Sequence, residues 1–365
     1  MDILHIGASS DPNEVNGVNA VVWAVAGEQA RSGISVGILL LNQPTEAAQT
    51  FAVKTGIVLY RAAAPWWRWD QKLLPTNCAP RTIHFHSVFI PAHARIARQA
   101  RRGNIPYVIT PHGGLGPNDL AHGRIKKAIY SALLERGRFL AAKVITIVAP
   151  GEAAEVRAFV PNFAGEIIHI PNPISLIANR PDKTKPRHID RPRFVFLGRF
   201  DAEHKGLDIM ASIAKEMPEA EFHLYGHGSM ALVLPPNMQL HEPVFGSAKA
   251  DAIQSASMYL QTSRWEAFAV SVAEAMALGV PCAISEQMHL SSLFRSEELG
   301  LVISRDPVRA AAALRTALSR NDLLSTWSRR AQAYARENFV PSKVAGQYAE
   351  IYSRLGRATH RCVQK

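Results

Sequence analysis

The sequence predicts an α/β protein made of two doubly wound domains, each a mainly parallel sheet covered by helices on both faces. Three observations predict it. Short apolar runs alternate with helix-compatible segments along most of the chain. Those runs are continuous rather than alternating, as a strand buried on both faces requires. The rhythm breaks once, in the Pro- and charge-rich PNPISLIANRPDKTKPRHIDRPR around Asn172 to Arg193, and then restarts. A chain of 365 residues is long for one core and sufficient for two of roughly 150 to 180 residues.

In the first half, ILHIG reads as a strand, Val18 to Arg31 as a helix and SVGILLL as the next strand. Gly56 to Ala63 reads as a further strand, with Trp66, Trp67 and Trp69 in the loop after it. TIHFHS, YVITPH and KVITIV complete this half. The second half repeats the pattern with RFVFLG, a helix from about Gly206, EFHLYG, a helix from about Ser247, MYLQTS, a helix from Val270 and PCAIS. From Asp322 to about Leu355 the chain reads as helical, with Phe339, Val344, Tyr348 and Tyr352 as an apolar stripe and RATHRCVQK as a frayed basic tail. The expected boundaries are 1–176, a linker over 177–192, a second domain over 193–340 and a returning helix and tail over 341–365.

Composition removes several classes. No apolar run reaches the roughly 18 residues of a membrane span, and DILHIG enters a strand with no basic-then-apolar leader, so a cytoplasmic protein is expected. Cys78, Cys282 and Cys362 are too far apart for a disulfide framework or a clustered zinc site. Lys and Arg number 41 against 30 Asp and Glu, leaving +11, which favours phosphorylated ligands, nucleic acid or an anionic membrane surface.

Open α/β sheets bind ligands at the carboxyl ends of their strands, so residues just after the predicted strands rank highest. Arg199 follows RFVFLG and Lys205 opens the next helix, placing two cations and helix amides where a diphosphate could sit. Glu266 follows MYLQTSRW, and Glu274 lies eight residues on, inside the following helix. The first can accept from sugar hydroxyls and the second from a ribose diol. The amides of Phe268, Ala269 and Val270 open that helix toward phosphate oxygens. Its residues are apolar nearly all round, so Glu274 is expected to be buried and to need a partner or a ligand. In YVITPHGGLGP, His112 ends a strand ahead of a Gly-rich turn; Asn16-Gly17 precedes a helix.

Two absences narrow the chemistry. No Asp-x-Asp occurs, so a metal-free site is implied, with Arg199 and Lys205 in place of a cation and no cofactor. The nearest approach, Asp201-Ala202-Glu203, reads as a helix-entry cap. There is also no Walker loop and no Gly-x-Gly-x-x-Gly after the first strand.

From Asp2 to about Leu355 the chain resembles the retaining glycosyltransferases of family 4, most closely from Arg193 to Ser285. The resemblance implies the GT-B fold: two facing Rossmann-like domains, donor bound by the second, acceptor by the first, and a C-terminal helix crossing back. It assigns Glu266 to the donor hexose, Glu274 to the nucleotide ribose, and Arg199 and Lys205 to the diphosphate. It sets His112 beside the donor sugar and Gly17 near acceptor and diphosphate. Two departures stand out: Glu266-Ala267-Phe268-Ala269 replaces a common Glu-Gly-Phe-Gly, and Asn16-Gly17 replaces paired glycines.

The resemblance implies a retaining, metal-independent hexosyl transfer to a saccharide or lipid-linked saccharide in surface or exopolysaccharide synthesis. UDP-glucose is the leading donor and GDP-mannose the alternative. A nonhydrolysing sugar-nucleotide epimerase and a catalytically weak nucleotide-sugar-binding subunit are the other readings. RIARQARRGN and GRIKKAIYSALLERGR can lie on anionic lipid at the inner face of the membrane or form a solvated basic face. Nucleic-acid binding is not expected, because no aromatics are interleaved with these charges.

Overall fold

The computed structural model describes residues 1–14, 16–65, 67–68, 70–121, 123–174 and 191–363, without side chains from 357 onward. The expected linker lies outside the described residues except for Arg191 and Pro192, as do Trp66 and Trp69. Two compact units form: Met1–Pro173 together with Pro341–Lys365, and Ile174–Val340.

The first unit holds a seven-stranded sheet of β1 (Ile3–Ile6), β2 (Val36–Leu40), β3 (Val58–Arg61), β4 (Thr82–His86), β5 (Tyr107–Thr110), β6 (Val144–Ile147) and β7 (Glu166–His169). Their order is β3-β2-β1-β4-β5-β6-β7, and every pair is parallel. The twofold side-chain period of a strand divides the residues between two layers. Leu4, Ile6, Ile83 and Phe85 pack on one face with Tyr107, Phe139 and Ile145. Ile3, Ile38, Val108 and Val144 pack on the other with Val21, Tyr348 and Tyr352.

Helices cover both faces, as the buried runs require. In the Gly17–Arg31 helix, Asn16 caps the start by accepting from the amide of Val18 at 3.0 Å. Tyr348, Ile351 and Tyr352 on the Pro341–Val363 helix are buried in this unit. Burying an aromatic or aliphatic side chain of this size stabilises by about 1.5–3 kcal/mol.

The second unit holds a six-stranded parallel sheet of β8 (Arg193–Leu197), β9 (Glu221–Tyr225), β10 (Met238–His241), β11 (Met258–Gln261), β12 (Cys282–Ser285) and β13 (Gly300–Ile303). Their order is β10-β9-β8-β11-β12-β13. Phe194, Phe196, Phe222, Met258 and Leu260 form its core with Leu207, Met210 and Ile213 of the Leu207–Glu216 helix.

Two expectations near the C-terminus change. The helix expected over Asp322 to Leu355 is two, Asn321–Asn338 and Pro341–Val363. Pro341 has no amide to continue the first ladder, and it disfavours helical backbone at the residue before it. The tail expected to fray continues the second helix through Val363.

Candidate active site

In the second unit the strand order turns back between β8 and β11, which lie side by side although β9 and β10 intervene in sequence. Loops leaving the carboxyl ends of such a pair diverge, and the gap between them is where an open sheet admits a ligand. The loop after β8 carries Arg199 and Lys205, and the loop after β11 carries Glu266. The Lys205 ammonium donates to Glu266 Oε2 at 2.6 Å, and both side chains are mostly buried. Ser263 Oγ donates to the same carboxylate oxygen at 3.2 Å.

The two loops are fastened together around that pair. Asp201 closes the first loop by accepting from the His204 amide at 2.9 Å, while the Lys205 amide returns to the Asp201 carbonyl at 3.0 Å. Gly206 adopts φ +62°, and a Cβ there would meet the Thr262 carbonyl at 2.0 Å, so only glycine fits. Thr262 Oγ1 donates to the Gly206 carbonyl at 2.8 Å. Arg264 forks onto Asp208 at 2.8 and 2.6 Å and also donates to the Glu203 carbonyl at 2.8 Å. Hydrogen bonding to Arg264 holds the Asp208 carboxyl below its usual range. The His204 ring stacks on Trp265 at 4.8 Å.

Arg199 is not drawn into the Lys205–Glu266 pair. Its guanidinium meets Asp201 at 3.1 Å and is 58% exposed, so it stands at the rim, open to an anion. Glu274 lies in the Val270–Ala277 helix and is buried, as its apolar surroundings predict. Its partner is Lys249, from the Gly246–Gln254 helix, which donates to Oε1 at 2.6 Å and stands 2.5 Å from Oε2. Only Oε1 is aligned to accept. Burial pushes the Glu274 carboxyl above its ordinary value, and Lys249 works against that shift.

The Val270–Ala277 helix starts without a side-chain cap. Among the described residues, the amides of Phe268, Ala269 and Val270 donate no hydrogen bond, and uncapped amides at a helix start can meet an anion. Ala269 has φ −76° and ψ 98°, a backbone open to any residue, so alanine replaces the family's common glycine here without strain.

In the first unit, His112 follows β5 with φ +53°, and Gly113 continues at φ +80°. A non-glycine residue in the left-handed region is costly and persists where its surroundings fix it. Glu152 supplies the fixing, accepting from the Gly113 amide and, at 2.5 Å, from the Val148 amide. His112 Nε2 lies 3.1 Å from His86 Nδ1, and burial pushes its pKa down to about 3, so the ring is neutral. Gly17 opens its helix at the surface, and a Cβ added there would meet no atom within 4 Å. Packing does not demand glycine at this position; approach of a ligand would.

Residues 191–320 match a family model described as "Glycosyl transferases group 1", and residues 15–178 match one described as "Glycosyltransferase Family 4". Both halves therefore carry the signature. The chain belongs to glycosyltransferase family 4.

Among curated relatives of this family 4 chain is the phosphatidyl-myo-inositol mannosyltransferase of Mycobacterium leprae, 27% identical over 52% of this chain and 54% of that protein. The lipopolysaccharide core biosynthesis mannosyltransferase LpsB of Rhizobium meliloti is 30% identical over 29% and 31% respectively. The chain spans about half the length, or less, of the curated relatives it matches. Solved structures share the GT-B fold over nearly the whole chain. Sucrose-phosphate synthase from Thermosynechococcus elongatus superposes with TM-score 0.76 at 19% identity, covering 98% of this chain and 99% of its own. Anabaena Alr3699/HepE in complex with UDP and glucose gives TM-score 0.73 at 16% identity, covering 96% and 99%.

Within the family 4 frame, the structure joins Lys205 to Glu266 and gives Glu274 a lysine that motif reading passed over. Lys249 has no motif of its own. The available signal was the carboxylate: a glutamate expected to be buried required a cation, and a lysine on a neighbouring helix was there to supply it.

Proposed function

We propose that this protein is a retaining, metal-independent hexosyltransferase that moves a hexose from a nucleotide sugar to a saccharide or lipid-linked saccharide. The observation that carries the reading is the Lys205–Glu266 pair between β8 and β11, with buried Glu274 in the next helix. Lys205, Arg199 and the amides of Phe268, Ala269 and Val270 would take the negative charge that grows on a departing diphosphate. Glu266 would orient sugar hydroxyls, and Glu274 would accept from the ribose diol. A leaving diphosphate oxygen can remove the acceptor proton on the face it vacates, so retention needs no protein base.

Two donors have support. Relatives named mannosyltransferases are 27% and 30% identical, whereas the neighbours solved with UDP and UDP-glucose are 16 to 17% identical and share the fold alone. A third relative, named D-inositol 3-phosphate glycosyltransferase, is 32% identical, so the relatives' names divide between sugars; UDP-glucose stays our first donor and GDP-mannose the second.

A lipid-borne acceptor is supported by the helical segment from Arg124 to Leu140. Ile125, Ile129 and Leu133 are 76%, 57% and 74% exposed at four-residue spacing, with Arg124, Lys126 and Arg136 exposed beside them. An apolar ridge flanked by cations suits an anionic membrane surface. The other basic segment contributes less. Arg95 is buried and donates to the carbonyls of Pro65, Arg68 and Gln71, so only Arg98, Arg101 and Arg102 remain exposed there. Among the described residues no helix is long and apolar enough to cross a membrane.

The deciding experiment is calorimetric titration in chelator with GDP, UDP, GDP-mannose and UDP-glucose, followed by NMR of the product's anomeric configuration. Binding of one series without metal and an α-linked product from an α-linked donor are expected. Binding that requires Mg²⁺, or an inverted product, would overturn the corresponding part. Epimerised donor without acceptor would point to the epimerase, and binding without turnover to a binding subunit.

A further inference from the structure

Four polar residues of the first unit run inward from His112 as a single chain of hydrogen bonds. Gln29 Oε1 lies 2.8 Å from His5 Nε2, His5 Nδ1 lies 3.0 Å from His86 Nε2, and His86 Nδ1 lies 3.1 Å from His112 Nε2. Each comes from a different place in the fold: the Gly17–Arg31 helix, β1, the last residue of β4 and the turn after β5. Gln29, His5 and His86 are wholly buried.

The polarity of this chain follows from its inner end. With Gln29 Oε1 toward His5, Gln29 Nε2 is buried without a hydrogen-bond partner among the described residues. In that orientation the amide oxygen only accepts, so His5 carries its proton on Nε2 and offers a lone pair at Nδ1. His86 must then donate from Nε2 and accept at Nδ1, and His112 must donate from Nε2. His112 Nδ1 is left with a lone pair, and it is buried without a partner among the described residues. A buried acceptor in that state calls for a donor from outside the protein, a ligand hydroxyl or a water.

The rings are too committed to one another to read as a metal site. One nitrogen each of His5, His84 and His86 lies within 4.8 Å of the others. Both His5 nitrogens and both His86 nitrogens belong to the chain just described, and His84 is held by Tyr352 at 2.6 Å and Thr110 at 2.7 Å. Ligation would break several of these bonds at once in a core closed to solvent.

We infer that Gln29, His5 and His86 are positioning residues that hold the His112 imidazole as its neutral Nε2–H tautomer, leaving Nδ1 to accept from a sugar hydroxyl of the donor. This rests on the reading that His112 lies beside the donor sugar. Neutrality has a purpose there: an imidazolium would repel the positive charge that develops at the anomeric carbon, whereas a lone pair does not. Burial supports the same state, pushing His5 down to about 4 and His86 well below the ordinary histidine value.

The test is ¹⁵N–¹H correlation NMR of the whole protein labelled at histidine, which distinguishes the two neutral tautomers and the cation. His112 in the wild type should show Nε2–H near pH 7. An Nδ1–H tautomer, as Gln29 turned end for end would give, or an imidazolium overturns the inference and needs no variant to do so. Gln29→Leu removes the inner acceptor and should lower kcat about tenfold, with nucleotide Kd unchanged and the His112 tautomer averaged. Gln29→Glu keeps the acceptor and should restore both. If His112→Ala abolishes transfer while Gln29→Leu has wild-type kcat and tautomer, this inference fails and the functional reading stands. If His112→Ala transfers normally, the placement of His112 in the site fails, whatever its tautomer.

Discussion

Lys205 and Glu266 satisfy each other at 2.6 Å in a mostly buried setting, so each is also the other's compensation. Removing one leaves an uncompensated charge, a larger disturbance than deleting the pair. Lys205→Ala should lower the transfer rate about a hundredfold, the usual scale for loss of one group that stabilises a leaving or developing anion. The Lys205→Ala, Glu266→Gln double variant should lose much less than the sum of the singles; simple additivity in steady-state kinetics would show that the two act apart. Lys249→Met should push the Glu274 carboxyl further above its ordinary value and weaken nucleotide binding by about tenfold, roughly 1.4 kcal/mol. Unchanged calorimetric affinity would place Glu274 outside the ribose site. Gly17→Ala meets no steric objection, so its melting temperature should hold while transfer falls. Full activity would remove Gly17 from the site.

At the scale of elements, the site depends on two loops being fastened, and Arg264 does much of that fastening without standing among the predicted ligand contacts. Arg264→Leu should lower turnover several-fold with Lys205 and Glu266 both in place; wild-type kcat would show that the loops hold without it. The strands were legible because burial on two faces writes them as unbroken apolar runs. Glu266, Lys205 and Arg199 were legible because they follow such runs. Lys249 and the histidine chain were not, because their meaning lies in partners distant in sequence: His5 and His86 are 81 residues apart, and Lys249 and Glu274 are 25 apart. The helix break at Pro341 was written plainly in the residue itself, but the apolar stripe from Phe339 to Tyr352 runs through it and masks it.

Over the whole molecule, the buried histidines tie stability to pH. His5, His84, His86, His93 and His112 all have folded pKa values below the unfolded 6.5. Below pH 6.5 the unfolded chain takes up protons that the folded chain refuses, so stability is complete above that pH and falls as pH drops toward about 4. Each group contributes at most about 1.4 kcal/mol per pH unit in that window. Denaturant unfolding should show a lower midpoint at pH 5.5 than at pH 7.5, and replacing His84 by Phe should flatten the slope between them. A midpoint independent of pH would mean that these rings titrate in the fold.

The first unit is closed by the Pro341–Val363 helix, whose Tyr352 hydroxyl grips His84 in β4 across 268 residues of sequence. That places a clock in the gene. During synthesis the ribosome makes β1 to β7 early, yet the apolar bed for Tyr348, Ile351 and Tyr352 stays open until codon 352 has been read and its product has left the exit tunnel. The Ile174–Val340 unit is complete in sequence before those residues are made, so it can finish folding before the unit that was begun first. A transcript cut short after residue 340 should therefore yield a folded second unit tethered to an unfinished first one. Limited proteolysis of that truncated chain should release a protected fragment of the second unit alone.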